Sequence, residues 1–268
     1  MKRISRVLGV FLCLAMVISG SAFAAGQKTI DVSNVEDGYF TVSYNADAEL
    51  KMKVGVTFKG DTTYYDYIPG NQATYALIDG DGKYTITLYR NISGTTYKKV
   101  TSQKVTVDME DELAPYLVST TEITFSEEDA VGKKAAELCN ELTEEADKVV
   151  AIHNYIAENF RYNYMFAAAV RRGAIKTYIP NTNTALEQQC GVCYDFSALF
   201  AAMCRSQGIP CAMAKGYTDN GYHAWNMVYL NEEWVAVDMT ASIAYRLFKA
   251  ETITDCMSSM DTYRDYKF

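Results

Sequence analysis

The stretch Gly191–Cys211, GVCYDFSALFAAMCRSQGIPC, combines a cysteine, an apolar stripe and a clear stop signal. The apolar residues after Cys193 recur every three or four positions: Phe196, Leu199, Phe200, Met203 and Cys204. This spacing places them on one face of a helix, so the stretch predicts a buried helix with Cys193 in its first turn. Gly208 and Pro210 predict where that helix ends, since glycine is typical of the residue after a helix and proline cannot continue one.

The position of Cys193 at the start of a helix favours a reactive cysteine over one that only packs in the core. A thiolate in the first turn meets the positive end of the helix dipole and backbone N–H groups without helical partners, and both stabilise its negative charge. Gly191 allows a tight backbone turn two residues earlier. We therefore interpret Cys193 as a candidate nucleophile.

A thiolate nucleophile also needs a base and a group that orients the base. The chain has two histidines. His153 lies on the apolar face of a predicted helix, and we interpret it as a core residue. His223 lies in YHAWNMVYL, which together with the turn NEE and WVAVDMT predicts two antiparallel strands.

The length of that turn decides whether His223 can meet Asp238. With an even loop, either Asn231–Glu232 or Leu230–Glu233, Trp225 pairs with Asp238. His223 then lies on the same face as Asp238, one diagonal step away, whereas an odd loop separates them to opposite faces. A triad of Cys193, His223 and Asp238 therefore requires an even loop, and in such a triad the carboxylate orients the imidazole.

At this point the pattern resembles a known family. The motifs GxCxDF…A…RxxGIP, HAW and WxxVDxT in residues 126–245 resemble the transglutaminase-like core of the papain-like cysteine superfamily. The resemblance implies Cys193 as nucleophile, His223 as general base and Asp238 as orienting carboxylate. It also implies an α+β fold in which the nucleophile helix packs on the antiparallel sheet that carries the histidine and the aspartate.

The chemistry implied is acyl transfer through a thioester, with hydrolysis or amine crosslinking as its outcome. The resemblance is to exported microbial members of the family, which we expect to be proteases or amidases more often than true crosslinkers. No cofactor motif or metal-binding loop is visible, so we expect neither a cofactor nor a metal. The Cys193 backbone N–H is one expected oxyanion donor; the second stays open among several residues: Tyr162, Tyr164, Gln188 and Gln189.

Residues 27–110 alternate between apolar and polar positions, as in KMKVGVTFK, and predict a small Ig-like β-sandwich. Within it, TYALIDGDGKYTITLYR predicts a hairpin around Asp79–Gly82. The tyrosines of Thr63–Gly70, TYYDYIPG, fit ordinary strand positions, with an aromatic binding platform as the alternative.

Residues 111–125 read as a linker, and residues 126–268 as the catalytic domain. Ser126–Asp129, SEED, predicts a capping box that opens a helix extending to about Leu142. Thr143 predicts the start of a second helix. RRGAIKTYIPNTNT has no periodicity and predicts a long loop.

Residues 1–24 have the pattern of a secretory signal peptide, with three basic residues, an apolar run and Ala22-Phe23-Ala24 before the cut. Its removal takes three positive charges from a chain of net charge −8. Such an acidic protein is a poor nucleic-acid binder. We expect a secreted or cell-surface protein without a membrane span after cleavage, acting on a peptide or protein substrate such as a cell-wall peptide or a surface protein.

Six cysteines follow the predicted cleavage point, and in an exported protein an even number favours disulfides. Cys190 and Cys193 also form a CxxC pair, which is compatible with half a zinc site or with a thiol–disulfide redox pair. The zinc site lacks a matching second pair, and the redox interpretation leaves His223 and Asp238 without a role. A further alternative is a catalytically silent binding or adhesion module.

Overall fold

The computed structural model describes residues 29–245 and 249–267. The predicted signal peptide lies outside them. Seven strands form the first part of the chain: β1 (Ile30–Asp31), β2 (Tyr39–Ser43), β3 (Met52–Phe58), β4 (Asp61–Tyr67), β5 (Gln72–Ala76), β6 (Gly82–Ser93) and β7 (Thr96–Val107).

These strands form two antiparallel sheets, with the orders β1-β2-β5 and β4-β3-β6-β7. Both sheets bury one face in a common core, which includes Phe40 and Val42 of β2 and Val54 and Val56 of β3. The alternation seen in KMKVGVTFK is therefore the alternation between this core and the outer face. A two-sheet β-sandwich follows from the packing.

The hairpin predicted around Asp79–Gly82 is wrong. β5 pairs with β2, whereas β6 pairs with β3 and β7, so this segment carries the chain from one sheet to the other. The alternation of residues identifies strands but not their partners. The contact that decides the pairing is the long ladder between β3 and β6, which places Tyr84 beside Phe58.

The second part of the chain mixes helices and strands. Its helices are α1 (Ala130–Leu138), α2 (Glu145–Asn159), α3 (Tyr164–Arg171), α4 (Thr182–Gln188), α5 (Cys193–Ser206), α6 (Met239–Tyr245) and α7 (Ile253–Cys256). Its strands are β8 (Arg161–Tyr162), β9 (Cys190–Gly191), β10 (Cys211–Thr218), β11 (Gly221–Leu230), β12 (Glu233–Val237) and β13 (Arg264–Lys267).

Helix α5 occupies the centre of this part. The predicted apolar stripe of α5 is fully buried and packs with α1, α2 and α4 and with the sheet β12-β11-β10-β13. Buried Asn226 of β11 donates from its side-chain nitrogen to the Ser197 carbonyl of α5 over 3.0 Å. The helix ends as predicted, with Gly208 at φ +75°. The predicted α+β core, in which the helix that begins at Cys193 packs on an antiparallel sheet, is confirmed.

The first helix is shorter than the prediction. Helix α1 begins after Asp129, which caps it by accepting from the Gly132 N–H over 2.9 Å, and ends at Leu138. Ser126 and Asp129 do bond each other's backbone N–H groups. Their reciprocal contacts form a turn that precedes the helix, and the N-cap residue is Asp129, whose backbone is extended.

Residues of the predicted linker contact both parts of the chain. Thr121 exchanges hydrogen bonds with Thr74 of β5. Tyr116 donates to the Ile78 carbonyl over 3.2 Å, and its ring packs edge-on against Trp234 of β12 at 4.8 Å. These contacts position the sandwich beside the sheet of the second part, while the domain boundaries themselves stay a prediction.

The even number of cysteines is compatible with disulfides, but the described residues contain none. All six cysteines of the described residues are free thiols: Cys139, Cys190, Cys193, Cys204, Cys211 and Cys256. Four of them are buried and belong to the apolar core around α5. Their packing as small apolar side chains explains their presence without crosslinks. Within residues 29–245 and 249–267, no helix has the length and apolar character needed to cross a bilayer.

Candidate active site

Cys193 is the first residue of α5, as the sequence predicts. The extended backbone of Val192 precedes it, and the Val192 N–H donates to Asp195 Oδ2 over 2.8 Å. A Cβ on Gly191 would lie 2.7 Å from the Asp195 Cβ. Glycine is therefore required here because the Asp195 side chain folds back over it.

Asp195 is a buried carboxylate that fixes this turn. Tyr178, from the long loop before α4, donates its hydroxyl to the second oxygen, Oδ1. Burial raises the pKa of Asp195, and the bonds from Tyr178 and Val192 oppose that rise. The loop that showed no periodicity thus supplies one of the groups that hold the start of α5.

The hairpin β11–β12 has the even loop that the triad requires. Its two loop residues, Asn231 and Glu232, both have positive φ, at 51° and 66°, as in a type I′ turn. The ladder runs from Leu230 opposite Glu233 to Asn226 opposite Val237. One further step brings Trp225 opposite Asp238. His223 and Asp238 therefore share a face, and His223 Nε2 lies 2.8 Å from Asp238 Oδ2.

The Asp238 carboxylate is held by several donors. Its Oδ1 accepts from the N–H groups of Thr240 and Ala241, at 2.9 and 3.2 Å, where α6 begins. Its Oδ2 accepts from the Tyr263 hydroxyl over 3.1 Å in addition to His223. This arrangement fixes the oxygen that faces the imidazole. No periodicity or motif in the sequence pointed to Tyr263.

His223 is half-buried between a carboxylate and a thiol. Burial lowers its pKa, but the hydrogen bond to Asp238, followed by that to Cys193, outweighs burial and raises the pKa to about 10. Because Asp238 occupies Nε2, the other nitrogen, Nδ1, is the one left for Cys193. The arrangement favours the imidazolium form of His223 at neutral pH.

His153 is buried in the core, consistent with its interpretation from the sequence. It nevertheless has polar partners that the sequence did not indicate. Its Nε2 lies 2.8 Å from the Ser242 hydroxyl of α6, and that hydroxyl bonds the Asp238 carbonyl over 3.2 Å. Burial lowers the pKa of His153, which favours its neutral form. His153 therefore supports α6 from behind rather than facing the cleft.

Cys193, His223 and Asp238 line one cleft of about 1010 Å³. Of the residues considered as second oxyanion donors, Tyr162 lines this cleft, while Tyr164, Gln188 and Gln189 do not. Burial, and next the negative charge of Cys193, raise the pKa of Tyr162. The Tyr162 hydroxyl therefore stays protonated near the nucleophile, where it can donate.

A further polar cluster lies beside Cys193. Tyr194 donates its hydroxyl to Glu122 over 2.5 Å, and Lys215 Nζ lies 2.7 Å from the other oxygen of Glu122. All three residues line the cleft. No sequence pattern indicated this cluster, because Glu122 belongs to the predicted linker and Lys215 to a strand of mostly apolar residues.

Cys190 belongs to β9, which pairs with Arg161 and Tyr162 of β8. The described residues contain no group of three or more His, Cys, Asp or Glu side chains arranged to hold a metal ion. Cys204 and Cys211, the thiols nearest in sequence that could complete a zinc site, are buried in the core.

Comparison with known proteins shows what this core is similar to. Residues 132–239 match the model of the Transglutaminase-like superfamily. Kyphoscoliosis peptidase from Mus musculus and from Homo sapiens is 32% identical over 120 residues, which cover 39% of this chain and 17% of each relative. The uncharacterized protein YebA of Bacillus subtilis is 26% identical over 250 residues, covering 81% of this chain and 31% of YebA. The chain thus spans less than a third of the length of each relative.

Two solved structures show the same type of similarity. A predicted cysteine protease from Cytophaga hutchinsonii is 17% identical with a TM-score of 0.42, and the match covers 78% of this chain and 73% of that one. Red sea bream transglutaminase is 12% identical with a TM-score of 0.34, covering 75% and 48%. The family match identifies residues 132–239 as a transglutaminase-like core.

Proposed function

We propose that the protein is a cysteine-dependent acyl-transfer enzyme that acts on amide bonds of peptides or proteins. The observation that carries the proposal is the 2.8 Å bond between His223 Nε2 and Asp238 Oδ2, in the same cleft as Cys193 at the start of α5. A nucleophile, a base and a group that orients the base are the parts that such chemistry needs.

In the first half-reaction the Cys193 thiolate attacks the amide carbonyl carbon. A C–S bond forms, the C–N bond breaks, and the His223 imidazolium gives its proton to the leaving amine. Asp238 holds the imidazole in place and stabilises its positive charge. The raised pKa of His223 supports this role, because the proton is present at neutral pH.

The negative charge that develops on the carbonyl oxygen needs hydrogen-bond donors. The Cys193 backbone N–H, at the first position of α5, is one. The Tyr162 hydroxyl is the second donor in this proposal, since it lines the cleft and carries its proton beside Cys193.

In the second half-reaction the thioester is attacked by water or by an amine. His223 takes a proton from the attacking group, the C–S bond breaks, and the Cys193 thiolate and the His223 imidazolium are regenerated. Water gives a carboxylic acid, and the enzyme is then a protease or amidase. A lysine amine gives an isopeptide crosslink, and the enzyme is then a transglutaminase.

The proposed location is outside the cytoplasm, on the evidence of the leader pattern in residues 1–24. Cell-wall peptides and surface proteins are the substrates that such a location offers. A soluble peptide or protein substrate fits an acidic protein better than nucleic acid does.

Casein and a fluorescent primary amine test both outcomes in one reaction. Incorporation of the amine into casein reports transfer, and newly formed carboxyl groups in the casein peptides report hydrolysis. We expect at least one of these products, and its loss in Cys193→Ala and in His223→Ala. A product that persists in either variant contradicts the assignment of roles, as does the absence of a product together with an unreactive Cys193.

A further inference from the structure

The cleft that contains Cys193 extends to the N-terminal sandwich. Its walls include Lys53 of β3 and Tyr64, Tyr65 and Asp66 of β4. A neighbouring cavity of about 360 Å³ is lined by Thr62–Tyr65. The two cavities share several residues of their walls: Tyr64, Tyr65, Glu122, Lys215 and Tyr222. Strand β4 therefore borders both the cleft that contains Cys193 and the cavity next to it.

The edge of β4, and not one of its faces, borders this space. Tyr65 packs against the sandwich core, whereas Tyr64 lies on the opposite face over Gly55. Successive strand residues point to opposite faces. Consecutive residues 62–65 nevertheless all line the smaller cavity, which requires that the strand presents its edge to it.

That edge is unpaired. β4 is the outer strand of the order β4-β3-β6-β7, and among the described residues the backbone of Thr62–Tyr65 pairs with β3 alone. The free N–H and C=O groups of an outer strand can pair with an added extended chain. Such a chain beside β4 lies next to the cleft that contains Cys193.

The side chains around the edge match an uncharged, apolar segment. Tyr64 and Tyr222 are exposed by 57% and 65%. A Cβ on Gly55 would lie 3.2 Å from the Tyr64 ring, so the ring lies directly over the bare backbone of β3. Four of the charged side chains nearby form two ion pairs, Lys53–Asp66 and Lys215–Glu122, both at 2.7 Å, while Arg205 and Lys267 also line the smaller cavity. A rigid exposed aromatic ring offers contact area at low entropic cost.

We propose that β4 is part of the substrate-binding surface. It pairs, strand to strand, with an extended apolar segment of the polypeptide whose amide lies at Cys193, and Tyr64 contacts the side chains of that segment. This inference rests on the proposed acyl-transfer function. The N-terminal sandwich then selects polypeptides that have an extended segment next to the reacting amide.

The test uses reagents that share one reactive group. Iodoacetamide is compared with the peptide Val-Thr-Val-Thr-Val carrying an iodoacetyl group at its N-terminus or, through a diamine, at its C-terminus, so that both chain directions are covered. The rate of Cys193 alkylation is measured for the wild type, Tyr64→Ala and Ile92→Ala. Ile92 is a matched control, because it is 59% exposed, belongs to the same sandwich and does not line the cleft.

We expect one peptide reagent to label Cys193 more than tenfold faster than iodoacetamide. Tyr64→Ala should lower the rate of that peptide reagent roughly fivefold, which corresponds to the loss of one aromatic contact. The peptide rate of Ile92→Ala and the iodoacetamide rates of all variants should stay unchanged. In the labelled protein, amide hydrogen exchange of residues 62–66 slows relative to the iodoacetamide product.

The inference is overturned if neither peptide reagent reacts faster than iodoacetamide, or if Tyr64→Ala and Ile92→Ala behave alike. It is also overturned if β4 exchange is unaffected by the bound peptide. Failure of the proposed function looks different, because Cys193 then reacts with iodoacetamide no faster than an ordinary cysteine.

Discussion

Asp238→Asn isolates the charge that acts on His223. Asparagine has the same shape, and its oxygen can still accept from the Thr240 and Ala241 N–H groups that now hold Oδ1. The change removes the negative charge 2.8 Å from His223 Nε2 and presents an N–H₂ donor instead. The fold should therefore persist while the imidazolium loses its main stabilising partner.

The size of the effect follows from the pKa of His223. The pKa rises from an ordinary 6.5 to about 10 against the opposing effect of burial. This difference corresponds to a net preference of about 5 kcal/mol for the imidazolium, to which Asp238 and Cys193 contribute and which burial reduces. If Asp238 supplies half of it, its loss costs about 2–3 kcal/mol. A loss of that size lowers the pKa of His223 and makes the imidazolium a weaker partner for a thiolate at Cys193.

The assay is the rate of Cys193 alkylation by iodoacetamide between pH about 5 and 10, followed by peptide mapping. We expect Asp238→Asn to react at least tenfold more slowly than the wild type near pH 6. The two rates should converge near pH 10, where an ordinary thiol is ionised without help. Asp66→Asn is the control, because Asp66 is another carboxylate of the same cleft and pairs with Lys53 instead of His223.

Equal rates of Cys193 alkylation for Asp238→Asn and the wild type near pH 6 would contradict the role given to the Asp238 carboxylate. They would mean that the carboxylate does not stabilise the imidazolium on which the thiolate depends. A uniform decrease at every pH, including pH 10, would point to a distorted cleft instead, and circular dichroism of the variant would show whether the fold had changed.

Three further predictions concern the surroundings of the triad. Gly191→Ala should lower the free energy of unfolding in urea by about 1–3 kcal/mol, because its Cβ would lie 2.7 Å from the Asp195 Cβ; an unchanged midpoint would contradict this contact. Tyr162→Phe should lower kcat of casein turnover roughly 10- to 100-fold and leave iodoacetamide alkylation unchanged, as expected of an oxyanion donor; an unchanged kcat removes Tyr162 from that role. Since burial lowers the pKa of His153, its stabilising contribution is present above pH 6.5 and is lost at lower pH. His153→Gln should therefore reduce the fall in melting temperature between pH about 7 and 5, and a fall as steep as that of the wild type would show that His153 is not its source.

Local patterns predicted the arrangement around the triad well. The spacing of apolar residues after Cys193 specifies a buried helix, and the position of Gly208 marks its end. The register of β11 and β12 follows from the parity of the loop alone, since side chains alternate with a period of two. Contacts that depend on a few neighbours in sequence could therefore be anticipated.

Contacts between distant segments of the chain could not be anticipated from the sequence. The alternation in β5 and β6 does not reveal that the strands belong to different sheets. The number of cysteines does not reveal that four of them fill an apolar core as free thiols. Glu122 and Tyr263 reach the cleft only through the path of the chain, and no local pattern marks them. The tyrosines of β4 did stand out, but their place beside the cleft depends on how the sandwich packs.

The most direct test of the central claim is the relative reactivity of the six thiols. Limiting iodoacetamide near pH 6, followed by peptide mapping, gives the alkylation rate of each cysteine in the wild type and in His223→Ala. We expect Cys193 to react far faster than the other five cysteines, and we expect His223→Ala to slow the reaction of Cys193 alone. The assignment of Cys193 as nucleophile and His223 as its base is contradicted if Cys193 reacts no faster than Cys190, or if its rate is the same in His223→Ala.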